Sequence, residues 1–203
     1  MQESDKFIPH LVNPREETGL YNAKMGIWLF LASEVMLFGS LFSAYILLRV
    51  GSFSWPDQSE IQNIPIGAIN SVILLTSSIF FIRAWVALKA DDIAKYKRFM
   101  YLVVLFAFAF LGLKGVEYYQ HFSHHEYPKT SVFIALYFLM TGLHALHIIG
   151  GILVNLYYAG PGLYLRDKPD GKQWFINRVE VAGLYWHFVD LVWIFLFSTL
   201  YLL

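Results

Sequence analysis

The sequence predicts an all-α integral membrane protein: a bundle of five transmembrane helices with the N-terminus on the inner side and the C-terminus outside. Three observations carry this expectation. The 203 residues are 57% hydrophobic and 18% aromatic with only 15% charged, and mean hydropathy is +0.50, whereas soluble domains carry about 25% charged residues. Five apolar segments, about 24–49, 66–89, 97–120, 131–158 and 178–203, each reach the roughly 20 residues that cross a bilayer at about 1.5 Å per residue. The cations are also sorted by side. Lys6, Arg15 and Lys24, then Arg83, Lys89, Lys95, Lys97 and Arg98, then Arg166, Lys168, Lys172 and Arg178 fall on one side, against Arg49 and Lys129 on the other; the Lys/Arg-rich side is the cytoplasmic one.

Zero net charge argues against a nucleic-acid partner. The absence of cysteine excludes disulfides, thiolate metal sites, iron–sulfur clusters and cysteine nucleophiles. Residues 1–23 are polar, contain Pro9 and Pro14, and lack an apolar core or a small-residue cleavage site. They read as a polar tail on the inner side, not a signal peptide. The five-helix domain then occupies 24–203, punctuated by Trp55-Pro56-Asp57, Tyr127-Pro128-Lys129 and Gly160-Pro161-Gly162. Trp28, Trp55, Trp85 and Trp174 near segment ends suit interfacial belts.

The first span holds one acid, Glu34, on a stripe with Ile27, Phe30, Phe38, Leu41 and Tyr45. An ionisable group in hydrocarbon costs at least a few kcal/mol unless paired or hydrated. Glu34 is therefore either a proton-exchanging or lipid-contacting carboxyl, or a hydrogen-bonded acid that ties helices together. The second span offers Gly67, Asn70 and Ser77, which is helix-packing chemistry. In the third, Lys114 and Glu117 stand three apart and can form an ion pair on one face, with Lys114 snorkelling toward the outer surface. His121, His124, His125 and Glu126 follow, a set able to hold a metal by ligand type alone.

The fourth span carries His144 and His147 at i, i+3, with Thr141, Gly151 and Asn155 on the same side. Paired haem ligation and a copper centre would need several histidines on different helices, yet the only deep histidines are His144, His147 and His187. No metal site and no catalytic residue is expected in this chain. In the fifth span Glu180, Gly183, His187 and Asp190 fall within about 80° at 100° per residue, one polar seam on an otherwise apolar helix. Counted from the inner edge at about 1.5 Å per residue, Glu34, His147 and His187 agree in height to within roughly 3 Å. The expectation is a seam-to-seam contact of the fourth and fifth helices through His144, His147, His187 and Asp190, with Glu180 nearer the inner surface. Glu34 either joins it through a histidine or faces a partner or a lipid.

The segments GIWLFLASEVMLFGSLFSAY, LKGVEYYQHF, TGLHALHIIGG and LYWHFVDLVWIFLF, in this order and spacing, resemble subunit III of haem-copper cytochrome c oxidases. Trp186 to Trp193 and Gly142 to His147 are the most specific stretches. Long members have seven helices, and this chain looks like the five-helix bacterial form lacking the first two.

The resemblance implies a multi-pass subunit of the bacterial inner membrane without a redox centre. Haem and copper would sit in partner subunits, with catalytic subunit I and subunit II as neighbours and phospholipid bound at its surface. It implies a role in stabilising the core against turnover inactivation and in sustaining proton uptake, with Glu34 as a reactive buried acid. Lys114 stands where some relatives have a neutral amide, so no family role carries over to it. Related five-helix subunits in quinol oxidases and some nitric oxide reductases leave the electron donor open. A small proton or solute channel using Glu34, the histidines and Asp190 as a relay is the reading of a different class; it would work alone in liposomes, whereas a subunit co-isolates with a haem-bearing partner.

Overall fold

A computed structural model of the chain describes residues 13–16, 18–56, 62–125, 127–168 and 171–203. The described residues contain five long helices: α1 (Asn22–Val50), α2 (Ile64–Lys89), α3 (Ile93–Ser123), α4 (Val132–Ala159) and α5 (Gly171–Phe197). Each is long and apolar enough to cross a membrane.

Side-chain caps set several helix starts. Asn63 accepts from the Ile66 N–H, with Pro65 in the first turn of α2. Asp92 accepts from Lys95 N and Ser131 from Ile134 N. The Asp92 cap starts α3 four residues before the expected position, leaving a tight α2–α3 hairpin in which Asp91 adopts φ 66°. A short 3-10 turn, Pro161–Asp167, follows α4. The fifth helix begins at Gly171 and not near Arg178. Lys172, Gln173, Asn177 and Arg178 are too polar for hydrocarbon, so hydropathy marked the membrane edge while backbone hydrogen bonding continues beyond it. At its far end α5 passes into a π segment, Ser198–Leu202.

Helix α5 is central. It packs on α1, α2 and α4, while α3 lies between α2 and α4. Small residues permit the closest approaches: a Cβ on Gly151 of α4 would lie 2.5 Å from the Trp186 ring, and one on Gly183 of α5 would lie 2.7 Å from the Phe81 ring of α2. Two indole N–H groups of α5 find partners on α2, Trp186 donating to Ser77 (3.1 Å) and Trp193 to Ser71 (3.0 Å). Helix α1 is the flank. Only 17% of its most apolar window is buried, against 44% for α4 and α5, and Leu29, Met36, Leu47 and Val50 point outward.

Candidate functional site

Two buried polar clusters and several isolated groups account for the deep ionisable side chains. The first cluster joins α1 to α4. Glu34 Oε2 lies 3.0 Å from His147 Nε2, with the two side chains 12% and 14% exposed. His147 Nδ1 is 2.8 Å from the Leu143 carbonyl one turn earlier. Tyr185 on α5 donates to the His147 carbonyl at 3.0 Å, and Phe38 sets its ring against the imidazole at 5.3 Å. The equal heights of Glu34 and His147 thus translate into contact, and of the two arrangements open to Glu34 the structure adopts the histidine-linked one.

The second cluster surrounds Lys114 and Glu117, which form the i, i+3 ion pair at 3.0 Å. Lys114 does not snorkel. It is 3% exposed because three helices close over it, and its Nζ donates to Glu117 Oε2, to the Tyr137 hydroxyl (3.1 Å) and to the Tyr201 hydroxyl (2.7 Å). Both tyrosines donate in turn to Glu117 Oε1. All three ammonium hydrogens have acceptors and both carboxylate oxygens have donors, the condition under which a buried network is tolerated. The faces of Tyr118, Tyr137, Trp193 and Tyr201 lie 5.0–5.7 Å from Nζ, within cation–π range. The π segment is what carries Tyr201 to this site.

The expected four-member seam does not assemble. His187 bonds through Nδ1 to Ser78 of α2, not to α4. Asp190 lies beside Ser78, and neither of its carboxyl oxygens has a hydrogen-bond partner among the described residues. His144 has no polar partner among them either; its ring stacks on Trp193 at 5.3 Å and meets Phe110 edge-on. Glu180, at the expected end, pairs with Lys24 at 2.7 Å and accepts from Tyr21. Tyr21 also bonds the Asn177 carbonyl. Burial, then the Glu180 carboxylate, pushes the Tyr21 phenol well above its usual range. The physical reason for the dispersal is the central position of α5: its polar side chains meet α1 and α2 as well as α4.

His121 is turned inward at 5% exposure, its ring against Tyr137 and Phe138, while His124 and His125 are exposed. Glu126 lies outside the described residues. Among the described residues, no three His, Asp or Glu side chains converge as metal ligands. Sequence reasoning missed Tyr21, Lys24, Tyr118, Tyr137, Tyr185 and Tyr201 as partners of the deep polar groups. Tyrosines near span ends look like membrane-interface anchors, and no local spacing distinguishes one that turns inward.

The family model for cytochrome c oxidase subunit III matches residues 15–203. The chain is similar to cytochrome c oxidase subunit 3 of Thermostichus vulcanus, 35% identical over 88% of this chain and 86% of the relative. It is 30% identical to that of Bacillus subtilis over 100% of this chain and 98% of the relative. A haem-copper oxidase subunit I+III of Aeropyrum pernix is 29% identical over 99% of this chain and 24% of its own length. With a membrane-spanning five-helix bundle and a match over nearly its whole length, the chain belongs to the cytochrome c oxidase subunit III family.

Proposed function

We propose that this chain is the non-redox subunit III of a proton-pumping haem-copper cytochrome c oxidase. In this reading it holds catalytic subunit I in a durable form, supports proton uptake on the inner side, and contacts subunit II and membrane phospholipid. The observation that carries it is the family match across residues 15–203. The structure is consistent with it: the three deep histidines answer to different neighbours, Glu34, Ser78 and the Trp193 ring, and offer no shared position for a haem or copper. Haem and copper are assigned to the partner subunits. The A. pernix relative, whose name places subunits I and III in one chain, supports subunit I as the neighbour.

The distribution of Lys and Arg supports an inner-side N-terminus and an outer-side C-terminus, and the bacterial relatives support the bacterial inner membrane as location. The weakly buried α1 is the flank with most surface left for a partner subunit or lipid. Glu34, half-way along that flank and paired with His147, is the proton-exchanging carboxyl of this reading.

The test is to purify the tagged chain from its native membrane, record the haem spectrum, and compare the oxidase with and without this subunit. Co-isolation with a haem-bearing partner is expected. The depleted oxidase should remain competent in cytochrome c oxidation but lose activity faster during turnover. An oxidase with no electron transfer after depletion, one that turns over quinol and not cytochrome c, or a chain that conducts protons alone in liposomes would each overturn the reading.

A further inference from the structure

The hydrogens between α1 and α4 can be counted from the partners alone. A backbone carbonyl only accepts, so His147 Nδ1, 2.8 Å from Leu143 O, must carry a hydrogen. A bond between His147 Nε2 and Glu34 Oε2 at 3.0 Å then needs one more, on either atom. The pair is a carboxylic acid donating to a neutral imidazole, or an imidazolium donating to a carboxylate. Both forms hold the same number of protons and no net charge, which suits a site about seven-eighths removed from solvent. If the shared proton leaves, a carboxylate oxygen faces the nitrogen lone pair at bonding distance, and attraction becomes repulsion with one net negative charge in an apolar setting.

That bond sits at the middle of the least buried helix. Elsewhere α1 is tied at its ends, by Lys24 to Glu180 and by Arg49 to the Leu203 carbonyl. Between them lie ring contacts, Phe30 on Tyr185, Phe38 on His147 and Phe42 on Phe195. Among the described residues, the titratable groups near the pair are Tyr185 from α5, whose hydroxyl is engaged by the His147 carbonyl, and His144 one turn back on α4.

We propose that Glu34 and His147 form a one-proton latch: His147 is a positioning residue that orients the Glu34 carboxyl and holds the middle of α1 on α4, and loss of the shared proton to hydroxide, giving water, releases that contact. This deepens the role given to Glu34 above and rests on the pair itself, not on which electron donor the oxidase uses.

The latched state binds one proton more than the released one, so the ratio of released to latched should rise about tenfold per pH unit once release begins. The experiment uses the purified oxidase complex, with two spin labels attached by non-cysteine chemistry at Met36 on α1 and Leu146 on α4, both outward-facing in the chain. Distance distributions are recorded over the whole pH range in which the complex stays intact. The wild-type chain should show one short population at the acid end and a longer one growing with the one-proton slope as pH rises. In Glu34→Gln the amide N–H takes the place of the shared proton and cannot leave, so the short population should persist over the whole range. In His147→Phe the long population should be present even at the acid end, where the wild type shows the short one. Failure of His147→Phe to assemble leaves the comparison of wild type with Glu34→Gln decisive. The same pH-dependent shift in both, no shift in the wild type, or a His147→Phe distance matching the short wild-type population at the acid end would overturn the latch. None of these readouts depends on cytochrome c or quinol turnover, so failure of the latch and failure of the oxidase reading are separable.

Discussion

Replacing Lys114 by Met removes the cation from the most enclosed charge pair in the chain. Glu117, 2% exposed, would keep the Tyr137 and Tyr201 hydroxyls but lose its counter-charge. Removing one member of a buried ion pair costs about 3–5 kcal/mol, because the survivor stays desolvated and uncompensated. The cation–π contacts to four rings disappear as well, in the single and the double variant alike. In Lys114→Met/Glu117→Gln the uncompensated charge is gone, while the amide oxygen still accepts from the tyrosines. What remains is the loss of the ring contacts, which both variants share, and of hydrogen bonds worth about 1 kcal/mol each. The double variant should therefore recover roughly 2–4 kcal/mol of what the single variant loses. Unfolding in mixed micelles with increasing sodium dodecyl sulfate measures this, and thermal retention of the chain in the oxidase complex gives an independent ranking. A single variant within about 1 kcal/mol of wild type, or a double variant no more stable than the single, would show that the cage is not a charge-compensating network.

Adjacent glycines on α4 separate steric from generic effects. Gly151→Ala puts a methyl 2.5 Å from a Trp186 ring carbon and should destabilise by about 1–3 kcal/mol, whereas Gly150→Ala meets only Tyr185 Oη at 3.7 Å and should be tolerated; the same micelle titration compares them, and equal costs would refute the close-packing argument. At the α2–α3 hairpin, the hydrogen bond and charge of Lys95 hold the Asp92 carboxyl below the usual range. The folded state therefore binds fewer protons there, and its contribution is present above the unfolded-state value and lost as pH falls through the lowered one. Hydrogen exchange at the Lys95 amide, corrected for intrinsic rate, should lose protection on acidification in the wild type. Asp92→Asn keeps a capping oxygen and should abolish that pH dependence.

The number of helices was legible because transfer into hydrocarbon is a sum over local residues. Any window of about 20 apolar side chains reports it without knowledge of neighbours. Family membership was legible for a similar reason: the segments around Glu34, Glu117, His144 and His187 keep their order along the chain. The Lys114–Glu117 pair was legible because its spacing is one helical turn. Depth along a span was legible too, since rise per residue is constant, and the Glu34–His147 contact follows that rule. Helix ends were less so: α5 begins at Gly171 because hydrogen bonding does not stop where hydrocarbon does.

Only the tertiary structure decided which neighbour each polar side chain meets. Periodicity places Glu180, His187 and Asp190 on one side of α5, but that side is shared among helices, and the groups part company toward Lys24, Ser78 and an enclosed site without a partner among the described residues. The same holds for Tyr137 and Tyr201, which reach Lys114 across 23 and 87 positions of sequence. Azimuth around a helix is a local quantity. The identity of what lies across the interface depends on how all five helices are packed, and the pattern of one helix does not contain it.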